Sequence, residues 1–315
     1  MNRRIFLSNL VVFSFFLLLT PRAGAQELRL ATGPIGGSWY PLGGAIAELM
    51  KQKAGVNVTV SPGGGVANVL AIETGIADLG FGNTASTVDG VMGRDPFKSK
   101  TENTRYVSTL YRQFFQIVVR EDSGIKSVTD LKGKSIGPGP RGFTGEQIAR
   151  HVLQVYGLSY KDMSKVHHIG YSDAISLMRD GHLTAFMPIT TIPASSIMDV
   201  ASSHNIRLLS IPEEKVRELR KINSGYVRYV IPKGTYQRQN EDLVTVGTFT
   251  DLLVSAKVSD DVVYKLTRAL VENKERLSAV VKEIATTQPK EMAPELDVPY
   301  HPGALKYWRE IKVRP

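Results

Sequence analysis

A chain of 315 residues with 42% apolar residues and no cysteine is long enough to bury two cores, and it does so without disulfides or thiol chemistry. Its formal charge of +9 comes from basic residues interspersed with acidic ones. With no basic run interleaved with aromatics, nucleic acid is excluded as a partner, and the surplus charge modestly favours small anions or an acidic protein.

Residues 1–25 hold Arg3, Arg4 and Arg22 and no acid, around an apolar block from Leu10 to Leu19, followed by Ala23-Gly24-Ala25. This is the pattern of a cleavable secretory signal, so the mature chain is expected to begin near Gln26, in the periplasm, with a charge of about +6. Arg3-Arg4-Ile5-Phe6-Leu7 also resembles a twin-arginine signal, and the export route stays open. A retained anchor is the alternative, but the apolar block is short for a bilayer.

From Leu28 to Ile211, strand-like and helix-like stretches alternate, which predicts an α/β fold with parallel sheets covered by helices. Strands are expected at Leu28 to Ala31, Val56 to Val60 and Ile76 to Phe81, with helices after Tyr40 and from Val66 to Thr74 between them. The turn Gly36-Gly37-Ser38-Trp39-Tyr40-Pro41 joins the first strand to the first helix, where close backbone approach and free amides suit an anion. Gly37 belongs to that turn. Ser38 could contact the ligand or cap the helix, while Trp39 and Tyr40 could wall the site or pack in the core. Gly63-Gly64-Gly65 is either a flexible turn or a second close-approach loop, with Gly65 the candidate contact. Asn83 and Thr84 follow a strand at its carboxyl end, the place where open α/β sheets hold ligands, or they form a simple turn.

The pattern restarts after Gln116 to Arg120, with a strand at Lys134 to Gly137 and helices at Gly145 to Tyr156 and Ser172 to Asp180. In the loop between, Arg141 is the candidate partner of a ligand carboxylate, or an ordinary exposed charge. Gly142, Phe143 and Thr144 accompany it, Thr144 as hydroxyl donor or helix cap. After a strand from Ala185 to Ile189, Thr190 and Thr191 could complete a polar lining. The strand Ile206 to Ile211 and a long helix around Val262 to Asn273 would return the chain to the first lobe. The expected division is a signal at 1–25, lobe I at 26–116 and 210–315, and lobe II at 117–209, with a hinge at the two crossings.

Two motifs are decoys. Gly137-Pro138-Gly139-Pro140-Arg141-Gly142 fits a dinucleotide fingerprint, but its prolines remove two amides from the phosphate-binding turn. Gly170-Tyr171-Ser172-Asp173-Ala174 faintly resembles a nucleophile elbow, and Ser172 is better explained as a helix cap. Adjacent His167 and His168 would face opposite sides of a strand and make a poor chelating pair, so neither a metal nor a cofactor is expected.

Gly36-Gly37-Ser38-Trp39-Tyr40-Pro41-Leu42-Gly43, Gly63-Gly64-Gly65-Val66-Ala67-Asn68, Gly75-Ile76-Ala77-Asp78-Leu79-Gly80, Asp130-Leu131-Lys132-Gly133-Lys134 and His301-Pro302-Gly303-Ala304-Leu305 occur in this order along nearly the whole chain. In these segments the chain resembles the TAXI family, solute receptors of one class of tripartite ATP-independent periplasmic (TRAP) transporters. The resemblance implies a two-lobe periplasmic binding protein fold with a hinge and an interlobe ligand cleft. It also implies no catalysis, and delivery of an organic anion such as glutamate or 2-oxoglutarate to TRAP membrane permease subunits. The chain departs from its relatives at Gly142-Phe143-Thr144-Gly145, where they often have Gly-Ser-Gly-Thr, and at Thr190-Thr191-Ile192-Pro193, where they often have a small Ala-Gly segment. Rival readings are a receptor of an ABC or other tripartite carrier for an aromatic acid, a periplasmic sensory receptor, and a periplasmic enzyme on the same fold.

Overall fold

The computed structural model describes residues 27–314; the signal expected at 1–25 lies outside the described residues. Two sheets organise the fold. The first begins with β1 (Glu27–Ala31), β2 (Asn57–Ser61) and β3 (Leu79–Asn83), which pair in parallel, β1 in the middle. Between them run α1 (Trp39–Ala54) and α2 (Gly65–Glu73). In α1, Trp39, Leu42, Ile46, Leu49 and Met50 recur at helical spacing and are buried against the sheet. Each fully buried Leu or Ile contributes about 1.5–3 kcal/mol. Lys51 and Lys53 sit in the last turn, and Gly55 ends the helix at φ 66°.

After α3 (Thr84–Met92) comes the long strand β4 (Thr104–Phe115), which leads through Gln116 and Ile117 into β5 (Val118–Arg120) of the second sheet. That sheet continues with β6 (Ser135–Gly137), α4 (Thr144–Val155), β7 (Lys165–Val166), α5 (Tyr171–Arg179) and β8 (Ala185–Phe186). The next strand, β9 (Ile189–Thr190), pairs antiparallel with β4 in the first sheet. The run from Ala185 to Ile189, which reads as one strand, is thus broken at Met187-Pro188, and its two halves lie in different sheets. After α6 (Ser195–Ser203) and β10 (Ile206–Leu208), the latter on the second sheet, α7 (Glu213–Ile222) leads back to β11 (Val227–Ile231) and β12 (Leu243–Ser255) of the first. The chain closes with α8 (Asp260–Glu272), three short helices α9–α11 (Lys274–Ser278, Glu283–Thr286, Pro289–Met292) and α12 (Pro302–Glu310).

The strand order is β2-β1-β3-β12-β4-β9, with β11 on β12, in the first sheet and β10-β5-β8-β6-β7 in the second. The sheets are mixed and not purely parallel, because β12 runs antiparallel to both β3 and β4, and β5 antiparallel to β8 and β10. This is a two-lobe α/β fold in which β4 and β12 form the backbone of one lobe and the carboxyl ends of β1, β3 and β6 point their loops toward the gap between lobes. Gln116 pins the crossing: its amide donates to Pro188 O (2.9 Å), and its Oε1 accepts from the Tyr236 hydroxyl (2.6 Å).

Candidate ligand cleft

The gap holds a cavity of about 340 Å³ counted out to its mouth. From the first lobe it is lined by Pro34, Gly37, Ser38, Trp39, Gly64, Gly65, Asn83 and Gln113. From the far side come Phe143, Thr144, Gly145, Tyr171 and Ile189. Three helices begin here: α1 after Ser38, α2 after Gly64 and α4 after Phe143. First-turn amides have no partner within their own helix, so each start presents donors and the positive end of a helix dipole.

The lobes touch tightly. The Ala67 amide, in the first turn of α2, donates to Gly142 O of the second lobe at 2.9 Å. A Cβ on Gly64 would strike the Phe143 ring, and one on Gly65 would meet the Thr144 hydroxyl and Asn83 Oδ1. Only glycine allows this approach. The Gly64 turn is held by Asn68, whose Oδ1 accepts from Gly64 N (3.0 Å) and whose Nδ2 donates to Thr32 O and Phe81 O (2.7 Å each). A further contact joins α3 to α4 and the return segment: the buried Asp89 carboxylate accepts from Gln147 Nε2 (3.2 Å) and Asn223 Nδ2 (2.6 Å). Burial pushes the Asp89 carboxyl up to about 6 against these hydrogen bonds.

Around the cavity most polar groups have partners. Ser38 Oγ shares a hydrogen bond with Tyr111 OH (3.0 Å) and does not cap α1. Trp39 Nε1 donates to Thr250 Oγ1 (2.9 Å), fixing the indole as a wall. Tyr171 OH donates to Ile189 O (3.3 Å) and accepts from Ile189 N (3.0 Å); burial pushes this phenol up to about 12. Two groups stand apart. Asn83 is 1% exposed and Thr144 2%, yet Asn83 Nδ2 and Thr144 Oγ1 have no hydrogen-bond partner. Both flank Gly65. A buried polar atom without a partner costs about 1–3 kcal/mol, and these two stand together at one cavity.

Of the residues expected at the site, Gly37, Ser38, Trp39, Gly65, Asn83, Phe143 and Thr144 line this cavity. Tyr40, Thr84, Arg141, Gly142, Thr190 and Thr191 lie outside its lining. Tyr40 faces solvent. Thr84 turns inward and donates to Asp251 Oδ1 (3.1 Å). Arg141 is exposed and sits near Tyr160 and His168. Gly142 contributes its carbonyl to the lobe contact, Thr190 pairs with Phe114, and Thr191 O accepts from Gln116 Nε2 (3.3 Å). Ser172 is not the cap expected for α5; that place belongs to Gly170.

Sequence reasoning missed Tyr171, Gln113, Ile189 and the supporting role of Asn68. Tyr171 and Asn68 lie in the segments Gly170-Tyr171-Ser172-Asp173-Ala174 and Gly63-Gly64-Gly65-Val66-Ala67-Asn68, and an Asn three residues after a run of three glycines was the usable signal. Gln113 and Ile189 had none, because β4 and the break before β9 were not foreseen. Among the described residues, no group of three or more His, Cys, Asp or Glu is arranged to hold a metal.

The fold recurs in solved structures of low identity. PhnD1 from Prochlorococcus marinus in complex with methylphosphonate matches with TM-score 0.56 and 11% identity, over 92% of this chain and 99% of that one. A periplasmic transporter matches with TM-score 0.57 and 14% identity, over 92% and 94%. The amino acid ABC transporter substrate-binding protein AbpA from Streptococcus pneumoniae, bound to L-arginine, matches with TM-score 0.52 and 14% identity, over 82% and 94%. The architecture is therefore that of the two-lobe periplasmic solute-binding proteins. The profile of the NMT1-like family matches residues 30–311, nearly the whole described chain, and the protein belongs to the NMT1-like family.

Proposed function

We propose that the protein is an exported receptor that captures a small organic anion between its lobes and hands it to a TRAP-type permease without transforming it. The observation that carries this reading is the pair of buried, unpartnered groups, Asn83 Nδ2 and Thr144 Oγ1, one from each lobe. An anion bridging them would also meet the starts of α2 and α4, so its binding favours closure of the lobes. The signal pattern at residues 1–25 supports a periplasmic location, and the ordered TAXI-like segments support the TRAP permease as partner. Glutamate and 2-oxoglutarate are the ligands that resemblance suggests. A receptor, and not an enzyme, is favoured because Ser38 is bonded to a phenol and not to a base, and no described lining residue is a histidine, lysine or carboxylate.

The aromatic lining of Trp39, Phe143 and Tyr171 favours a second reading, in which the same cleft serves a carrier for an aromatic or apolar acid. Mass spectrometry of whatever co-purifies with the mature protein, followed by thermal shift with the identified compound, tests both. A recovered organic anion that raises the melting temperature is the expected result. Turnover of the bound compound, or recovery of a cation or uncharged ligand, would overturn the receptor reading as stated.

A further inference from the structure

From the donor pattern of the cleft we infer that the ligand carries no ammonium group: the receptor takes carboxylic acids of the 2-oxo or unsubstituted class and rejects the corresponding amino acids. This rests on the anion-receptor reading above and narrows it.

An amino acid needs two opposite poles in its site, donors for the carboxylate and a compensating acceptor, best a carboxylate, for the ammonium. Here the first pole is present and the second is not. The unpartnered groups are an amide Nδ2, which only donates, and a threonine hydroxyl. Five backbone carbonyls of the lining already accept hydrogen bonds. Pro34 O takes Gly37 N, Gly64 O takes Asn68 N, and Phe143 O takes Gln147 N. Asn83 O takes the Ser86 and Thr87 hydroxyls, and Ile189 O takes Tyr171 OH. No described residue of the lining is acidic.

Three buried or half-buried acids nearby are committed elsewhere. Glu146, in the first turn of α4, holds Arg150 Nε (3.2 Å) and the Tyr160 hydroxyl (3.0 Å). Asp251 lies fully buried behind β3, accepting from Tyr106 OH (2.9 Å) and Thr84 and Thr87 Oγ1 (3.1 and 3.2 Å). Asp89 is held by Gln147 and Asn223. Hydroxyl lone pairs on Ser38 or Thr144 could accept from an ammonium, but they carry no charge to neutralise it. The starts of α1, α2 and α4 set the positive ends of three helix dipoles against it. A 2-oxo oxygen, in contrast, is an acceptor and suits a site made of donors.

Calorimetric titration of the full mature protein with matched acids tests this: 2-oxoglutarate against L-glutamate, pyruvate against L-alanine, and phenylpyruvate against L-phenylalanine. The expected result is that in at least one pair the oxo acid binds a hundredfold or more tighter than its amino partner, and that no amino acid outcompetes its oxo acid. An amino acid that binds as tightly as its partner, or tighter, overturns the inference and leaves the anion receptor standing. Should no member of any pair bind, and no carboxylate be recovered with the protein, the anion-receptor reading itself falls and takes this inference with it.

Discussion

Replacing Gly64 with Ala adds a single methyl group at the seam between the lobes. Gly64 has φ −169° and ψ 152°, an extended conformation open to any residue, so the loop itself should accept alanine. Its amide can still reach Asn68 Oδ1. The new Cβ, however, would lie 2.5 and 2.6 Å from Cδ1 and Cδ2 of Phe143, where ordinary contact begins at 3.4 Å. Cγ lies closer still, so the ring, and the start of α4 behind it, would have to retreat by more than about 1 Å. Overpacking of that kind costs about 1–3 kcal/mol. Because the collision exists only when the lobes meet, the cost falls on closure and so on binding, a weakening of about 5- to 150-fold. Calorimetry with 2-oxoglutarate, paired with small-angle scattering with and without it, measures both consequences. The expected variant has a melting temperature within about 2 °C of the parent when ligand-free, lower affinity, and a smaller ligand-induced decrease in radius of gyration. Parental affinity with full compaction would refute the claim that Gly64 and Phe143 meet in the bound state.

Asn83→Asp should keep the helix start of α3, since aspartate caps as well as asparagine, while setting a carboxylate against the incoming anion. Its 2-oxoglutarate affinity is expected to fall a hundredfold or more by calorimetry, and burying the new carboxylate should also lower the ligand-free melting temperature. Arg141→Ala, on an exposed side chain outside the cavity lining, should change affinity less than about threefold; a tenfold loss would place Arg141 at the ligand after all. Stability should also depend on pH through two buried acids. Burial pushes Asp251 up to about 7 and Asp89 up to about 6, both from 3.8. An acid with a raised folded pKa binds protons more readily folded than unfolded, so its stabilising share is full below about pH 4 and is lost as pH rises through 6 to 7. For Asp251 the rise from 3.8 to about 7 amounts to at most about 4 kcal/mol. Melting temperature is expected to rise from pH 8 to pH 5.5, and Asp251→Asn should remove most of that slope in a thermal-shift series.

Helices α1 and α2 of the first lobe and α4 of the second were legible because they show clean spacing and glycine stops, and they fall within a residue or two of the expected spans. The long strands β4 and β12 were not foreseen, since both are buried on two faces and lack the alternation that marks a half-exposed strand. The glycine turns pointed to the cleft because their chemistry is local. Whether a side chain from such a turn faces the cleft is decided by its neighbours across the sheet. Thr84 was drawn inward by Asp251, a residue 167 positions away, and Arg141 was left outside because Gly64 and Gly65 admit Phe143 and Thr144, and not the arginine, to the first lobe.

The absence of charged side chains from the described lining bears on how a load is given up. A pocket that grips through an arginine keeps a standing positive charge when empty, attracts chloride and phosphate from its surroundings, and draws back a departing anion over a Debye length of about 8 Å. One that grips with neutral amides and hydroxyls, with only the partial charges of three helix starts behind them, does both more weakly. In the proposed receptor, once Asn83 and Thr144 part, an anion between them would leave without a full counter-charge pulling it back. Release would then follow from separation of the two halves alone, and its rate should vary little with salt.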